Sequence, residues 1–397
     1  MKAVILAAGE GARLWPLTQN QPKVMIPVAG KPILQYVIEA LRESGITEII
    51  LVVGYRREKI MSYFEDGSQF GVQISYLFQN RLLGTAHALF KAKGETDYEF
   101  LVLPGDNIID SQIIKDLLRE RKEGEWAVAL TTSGNASKYG VVFMSGGRVK
   151  RIVEKPRDGR SNIISTGIFL LTEEIFDYID EAIMEREYAL STVIQSAIPN
   201  QILRGVKTEG VWQDAVYAWD LLDLNATALR MIQGGLAGKK EPNVVIKGNV
   251  KVGEGTILRS GTYIEGPAVI GSGCDIGPNA VIMPETAIGD NCIIGPHTTI
   301  ETSVLMSNCY MGSHSYLSHS VVGDGTVMEP HFKNRVGSAV IRLDTLHEVE
   351  RIGAVVAEDC HFAAGTTLAP GTMIGAGSEV EGEKIVRGSI PENGRVL

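Results

Sequence analysis

Residues 268–300 read AVIGSGCDIGPNAVIMPETAIGDNCIIGPHTTI, and their spacing decides the architecture of the C-terminal part of the chain. Ile270, Ile276, Ile282, Ile288, Ile294 and Ile300 stand six apart, and two residues before each lies a small side chain: Ala268, Cys274, Ala280, Thr286, Cys292 and Thr298. The register runs back through Ile264, Leu258, Val252 and Ile246, and forward to Val304 and Met306 as the next small and aliphatic residues. A period of six held over this length implies a left-handed parallel β-helix of hexapeptide repeats, each edge sending one aliphatic and one small side chain into a narrow prism. The phase slips near Met311 and Leu317, is lost over about 329–355, and returns at Phe362, Leu368, Ile374 and Val380. The expected β-helix domain is therefore 244–397 with one interruption. Cys274, Cys292 and Cys360 fall on the small interior position and read as packed thiols; Cys309 has no place in the pattern.

Upstream the periodicity is different. AVILAAG, EIILVVG, VQISYLFQ and EFLVLPGD are strand-like apolar runs, separated by helix-like patterns such as PILQYVIEALRESG. Strands alternating with amphipathic helices predict an α/β domain with a Rossmann-like, mostly parallel sheet covered on both faces. The helical pattern WDLLDLNATALRMIQ closes this domain, which is placed at 1–233, and GGLAGKKEPN at 234–243 reads as the linker.

The 397 residues, 44% hydrophobic and 21% charged, suit a globular protein of two or three domains. A net charge of -9 argues against general electrostatic binding of nucleic acid, while leaving room for a local cationic pocket for phosphate. No signal-like segment and no run of 18 apolar residues is present, so a cytoplasmic protein without membrane contact is expected. Four cysteines without CxxC spacing indicate neither a disulfide framework nor a zinc site.

The first strand runs into AAGEGARLWPLT, residues 7–18. Open α/β sheets bind ligands outside the carboxyl ends of their strands. Gly9 and Gly11 there would let the backbone approach a triphosphate, with Arg13 and Lys23 supplying positive charge. The loop follows neither GxGxxG, since Leu14 replaces the third glycine, nor GxxxxGK[ST].

Through MKAVILAAGEGARLWPLTQNQPKVMIPVAGKP, residues 1–32, the chain resembles the sugar-phosphate nucleotidylyltransferases, which join an NTP to a sugar 1-phosphate and release pyrophosphate. The resemblance continues through LLGTAHAL (82–89), LPGDN (103–107), YGVV (139–142), EKP (154–156), STGIFLL (165–171) and WQDAVYAWDLLDLN (212–225). It implies nucleotide contacts from Leu6, Ala8, Gly9, Gly11, Gln79, Gly84 and Thr85, and sugar-phosphate contacts from Gly140, Glu154, Lys155, Ser165 and Thr166. It also implies Mg2+ held by Asp106 and Asp214, and pyrophosphate stabilised by Arg13 and Lys23. Such chemistry is coherent physically: two polyanions must be brought together, a divalent cation on two carboxylates neutralises charge, and no side-chain nucleophile is needed. Family members commonly have asparagine where Ser165 stands. The GTAHA loop resembles the uridylyltransferase branch, favouring UDP-sugar over dTDP-sugar as product, with glucose or N-acetylglucosamine 1-phosphate as sugar substrate.

The domain order resembles the archaeal bifunctional N-acetylglucosamine-1-phosphate uridyltransferase/glucosamine-1-phosphate acetyltransferase type. That likeness implies an alternative second activity, N-acetylation of glucosamine 1-phosphate from acetyl-CoA in the β-helix. Against the family pattern, Ser313 stands at the expected histidine position and His314 one residue later, and a one-residue shift turns a strand side chain to the other face. A prism of this kind is expected to assemble as a homotrimer.

Overall fold

The structure is a computed structural model that describes residues 1–134, 136–154 and 161–397. It separates into two compact units, residues 1–10 with 33–213, and residues 11–32 with 214–397.

In the first unit the expected alternation folds as β1 (Ala3–Ala7), α1 (Ile33–Glu43), β2 (Glu48–Val53), α2 (Arg57–Phe64), β3 (Gln73–Phe78), α3 (Thr85–Phe90) and β4 (Glu99–Pro104). The chain continues through β5 (Asn107–Ile109), α4 (Ser111–Arg119), β6 (Trp126–Thr132), β7 (Gly140–Ser145), β8 (Arg148–Glu154), β9 (Ile163–Thr172), α5 (Ile175–Met184), α6 (Leu190–Ala197) and β10 (Leu203–Lys207). The sheet order is β3-β2-β1-β4-β9-β6-β10-β8-β7. Strands β3, β2, β1 and β4 are mutually parallel, and β9 runs against both β4 and β6. Continuous apolar runs such as EIILVV suit strands covered on both faces. Trp126 anchors one face, 1% exposed, its Nε1 donating to Thr172 Oγ1 at 2.7 Å, while Phe100 stacks on Phe176 at 5.7 Å. The buried indole thus keeps its apolar area in the core without an unmet N–H.

The second unit is a left-handed parallel β-helix with three sheets of nine, nine and eight strands. Successive coils pair at the expected spacing of three hexapeptides, Ile264 with Ile282 and Ile282 with Ile300. The phase slip comes earlier than the sequence pattern suggests. Pairing of Ile288 with Leu305 and Leu305 with Val322 makes Ser303 and Leu305 the inward pair, not Val304 and Met306. At the corner Glu301-Thr302-Ser303 the chain turns one residue sooner than at Met283-Pro284-Glu285-Thr286, and Met306 falls on the corner position that Gly289 holds one coil before. The same slip brings Cys309 into register. All four cysteines stand in one interior file and bond a corner carbonyl of the next coil: Cys274 to Gly289 at 3.1 Å, Cys292 to Met306 at 3.1 Å, Cys309 to Gly323 at 3.2 Å and Cys360 to Gly375 at 3.3 Å. Thr256 fills the same position and bonds Gly271 O at 2.6 Å, so the site calls for a small side chain that donates.

The interruption is also narrower than 329–355. Val327–Met328 and Lys333–Asn334 remain in the coil, and the excursion is an antiparallel hairpin of Gly337–Arg342 with Leu346–Ile352 before the coil resumes at Ala354–Val356. Asn334 occupies an inward aliphatic position, and its amide holds both peptide groups of Ser318, accepting from N at 2.8 Å and donating to O at 2.7 Å.

The domain limits 1–233, 234–243 and 244–397 need correction. Gly235–Leu236 and Lys239–Lys240 already pair with Lys251–Val252 and Ile257–Leu258, so the expected linker forms the first two strands of the solenoid. Residues 11–32 and helix α7 (Asp220–Met231) pack with the solenoid because polar side chains bind them to it. Fully buried Asn225 accepts from Ala29 N at 2.8 Å and donates to Glu285 O at 2.9 Å, and Gln19 Oε1 accepts from Ala376 N at 2.9 Å. Among the described residues no helix is long and apolar enough to cross a membrane.

Candidate active site

In the first unit the carboxyl ends of β1 and β4 lie side by side, because Gly105 N donates to Leu6 O at 3.0 Å. The loop Ala8-Gly9-Glu10 and Asp106 therefore leave the sheet along the same edge. Ala8 is buried and its carbonyl accepts from Tyr55 N at 3.1 Å, while Gly9 is exposed and a Cβ built there would meet nothing within 4 Å. Asp106 is half-buried; beside it Asn107 Oδ1 is buried without a hydrogen-bond partner.

Gln79 is 4% exposed, its Nε2 donating to Gly84 O at 3.0 Å and lying 2.9 Å from His87 Nδ1. Burial, then Lys91, holds the His87 imidazole below its ordinary value, which keeps the ring neutral beside the amide. Gly84 passes so close to Tyr188 that a Cβ would stand 2.5 Å from its carbonyl oxygen, and Ala86 N donates to that oxygen at 2.8 Å. Thr85 Oγ1 accepts from Leu190 N at 2.9 Å, so its hydroxyl caps the start of α6. The sequence pattern marked Gln79, Gly84 and Thr85 without revealing His87 and Tyr188, which hold them.

Of the sugar-phosphate candidates, Gly140 pairs with Glu154 across β7 and β8, and the Glu154 side chain is exposed. Lys155 lies outside the described residues. Ser165-Thr166-Gly167 forms a bulge in β9, with Ser165 Oγ accepting from Gly167 N at 3.2 Å. Thr166 differs from expectation: its side chain is 2% exposed and donates inward to Ala129 O at 2.8 Å, leaving only its backbone for outside contacts. The Thr166 carbonyl accepts from Trp212 Nε1 at 3.2 Å, and Trp212 packs edge-on against Tyr139 at 5.2 Å. Both aromatics lie within motifs marked in the sequence, Tyr139 in YGVV and Trp212 in WQDAVYAWDLLDLN, where nothing local signals that they pack together.

In the second unit Gly11 has φ of 73°, and a Cβ there would lie 2.7 Å from Lys23 Cβ. Thr18 Oγ1 donates to Gly11 O at 3.1 Å, which closes the turn carrying Arg13. Lys23 is 9% exposed and its ammonium lies 2.9 Å from Asp214 Oδ1. Arg13 is half-exposed on the short 3-10 turn Ala12–Leu14, with Leu14 buried beneath it.

His314 is part of an exposed stack in the solenoid. Its ring lies between His297 at 5.0 Å and His331 at 5.5 Å, nearly parallel to both, and all three residues hold the same positive-φ corner in successive coils. A separate polar group surrounds Tyr316: its hydroxyl donates to Glu301, Ser318 Oγ donates to Glu301 Oε1 at 2.7 Å, and Ser318 Oγ lies 2.8 Å from His319 Nδ1. The Tyr316 hydroxyl, with burial opposing it, holds the Glu301 carboxyl below its usual range.

Among the described residues no group of three or more His, Cys, Asp or Glu is arranged to hold a metal ion. Mg2+ is commonly held by one or two carboxylates with substrate phosphates and water completing an all-oxygen shell. The half-buried Asp106 and the orphaned amide oxygen beside it are hard donors of the right kind.

An exposed glycine loop at the carboxyl edge of an α/β sheet, followed in sequence by a hexapeptide solenoid, is an arrangement found in nucleotidyl-transferring enzymes. The chain belongs to the nucleotidyl transferase family, whose model matches residues 2–230. A second model, the GMPPB C-terminal domain, matches residues 264–340. The protein named bifunctional protein GlmU in Methanococcus maripaludis (strain C7) is 36% identical, covering 99% of this chain and 96% of that protein. A glucose-1-phosphate thymidylyltransferase of Streptomyces antibioticus is 34% identical over 68% of this chain and 77% of its own length. A solved Bacillus anthracis structure assigned as a glucose-1-phosphate thymidylyltransferase superposes with a TM-score of 0.54 at 27% identity, covering 59% of this chain and 98% of that one.

Proposed function

We propose that the chain transfers a nucleotidyl group from an NTP, UTP in preference to dTTP, to a sugar 1-phosphate such as glucose or N-acetylglucosamine 1-phosphate. A phosphate oxygen of the sugar forms the new bond to the α-phosphorus, the bond from that phosphorus to the bridging oxygen breaks, and pyrophosphate carries off the electron pair. The observation that carries this reading is the Lys23–Asp214 pair at 2.9 Å, an ammonium and a carboxylate both largely withdrawn from water. A largely buried cation fixed beside that carboxylate is held in place to face the growing charge on the leaving pyrophosphate. Arg13 would grip the same group from the half-exposed turn, and Gln79, fixed by Gly84 and His87, would read the base edge. Ser165, Gly140, Glu154 and Lys155 are assigned to the sugar phosphate. Asp106 and Asp214 are assigned as the residues that would hold Mg2+, which when bound neutralises phosphate charge.

The deciding assay is pyrophosphate release with UTP, dTTP, ATP and GTP against glucose 1-phosphate, N-acetylglucosamine 1-phosphate and glucosamine 1-phosphate. Turnover is expected with UTP first; silence with every pair overturns the proposal. Asp106→Ala is expected to abolish metal-dependent turnover while the far-ultraviolet spectrum is kept, and retained activity would remove the ligand assignment.

A second activity, acetyl transfer from acetyl-CoA to glucosamine 1-phosphate, is favoured by the group of Glu301, Tyr316, Ser318 and His319 and by the full-length likeness to bifunctional relatives. His314, committed to its stack, is not placed in that group. Thiol release from acetyl-CoA, followed separately, tests it. A homotrimer through the solenoid is proposed from its exposed Ile293, Tyr310, Tyr316 and Ile385, and light scattering at three times the chain mass would support it.

A further inference from the structure

The hairpin inserted in the solenoid, Gly337–Arg342 with Leu346–Ile352, contributes nothing to the coil itself. Its first strand is seated along its length: Ala339 lies so close to Gly371 that a Cβ there would stand 2.4 Å from its own, and Ile341, opposite His347, is buried. Its tip is built around one carboxylate. Asp344 Oδ1 accepts from Thr345 N at 2.9 Å and lies 2.8 Å from His347 Nε2. The other oxygen, Oδ2, lies 3.9 Å from Arg13 Nε. His347 in turn rests on an aromatic pair just beyond Asp214: its ring is 4.3 Å from Tyr217 and 5.7 Å from Trp219, and these two stack on each other at 4.8 Å.

We propose that this hairpin is an autoinhibitory strap, in which the Asp344 carboxylate sits against Arg13 in place of a phosphate and must leave before Arg13 can grip the triphosphate. Three features fit a strap rather than a fixed brace. The ion pair is long and both side chains are about half exposed, so it is weak and screened by salt. A triphosphate offers the same guanidinium several charge-assisted bonds, so it wins the exchange. The carboxylate is held by its own turn through Thr345 and His347, so the tip keeps its shape after release and can return. His347 on Tyr217 and Trp219 supplies the latch that aims it.

This inference rests on Arg13 being the triphosphate clamp, and its test separates the two. Wild-type chain that releases no pyrophosphate with any substrate pair defeats the clamp assignment. With wild-type turnover in hand, Asp344→Asn and Asp344→Ala are expected to lower the KM for UTP roughly two- to fivefold at low salt, the range a half-exposed ion pair supports, with kcat unchanged. The gain should shrink as salt rises, because the lost contact is screened. His347→Ala, which removes the latch, is expected to act in the same direction. A second readout needs no turnover: inorganic tripolyphosphate should speed tryptic cleavage after Arg342 in the wild-type chain and change it little in Asp344→Ala, where the tip is already loose. An unchanged or raised KM in both Asp344 variants, a fall in kcat, or tripolyphosphate protection of Arg342 overturns the strap.

Discussion

Gly9 and Gly11 look alike in the sequence, yet substituting each by alanine should give opposite results. At Gly11 the backbone is left-handed, which costs an alanine about 1–2 kcal/mol. Its new methyl would stand 2.7 Å from Lys23 Cβ, the root of a buried side chain that cannot swing away, adding about 1–3 kcal/mol of overpacking. Gly11→Ala should therefore lose about 2–5 kcal/mol, and at roughly 2–4 °C per kcal/mol the transition should fall by about 4–20 °C. Gly9 has no positive φ and open space where a Cβ would point, so Gly9→Ala should leave stability within about 0.5 kcal/mol. The open space at Gly9 is what a triphosphate would use. A methyl there should weaken NTP binding by about 1–3 kcal/mol, roughly five- to 150-fold. Differential scanning calorimetry gives the first quantity and titration calorimetry with UTP the second. Wild-type UTP affinity in Gly9→Ala, with the protein fully folded, would refute the phosphate cradle.

Other consequences are open to direct measurement. Lys23→Met should remove the ammonium beside Asp214, costing about 1–3 kcal/mol given the residual exposure of the pair, and should cut kcat for pyrophosphate release. Burial pushes the Cys360 thiol up to about 11, and the neighbouring Cys292 sulfur, with burial, pushes Cys274 higher still. Native chain should thus show no reaction with a thiol reagent at pH 8 and four thiols after denaturation; fast native labelling would place a cysteine outside the prism. His87, held below its ordinary value by burial, binds its proton more weakly folded than unfolded. Its contribution to stability is whole above pH 6.5 and is lost as pH falls below that value, so His87→Gln should flatten the decline in thermal midpoint between pH 7 and 5.

The solenoid was legible because six-residue spacing of Ile264, Ile270, Ile276 and their successors has almost no other cause. The exact position of the slip is not legible in the sequence, because Val304 and Met306 satisfy the small-then-aliphatic rule as well as Ser303 and Leu305 do, and only strand pairing distinguishes them. The opening coil leaves no mark in the sequence, since Gly235, Leu236, Lys239 and Lys240 are exposed at an end where no apolar register is demanded. Residues 11–32 could not be assigned to the solenoid from sequence, because the contacts that bind them run through amides such as Asn225 and Gln19 rather than a hydrophobic pattern. In the site, glycines and charges on short motifs were readable. The residues that hold them, Tyr188 behind Gly84 and His87 behind Gln79, lie at distances no local motif encodes.

Asn334 has a consequence for how such a chain can change over time. By bonding both peptide groups of Ser318, its amide acts as a substitute backbone unit, completing the rung at the place where the real backbone departs. The coils on either side are then indifferent to how far the chain travels before Gly353 returns to bond His319 O at 2.8 Å. Because doubling a loop costs only about 0.6 kcal/mol in closure entropy, this doorway can host appendages of many lengths. The solenoid thereby gains a port at which new control elements can be fitted or removed with its own folding left intact.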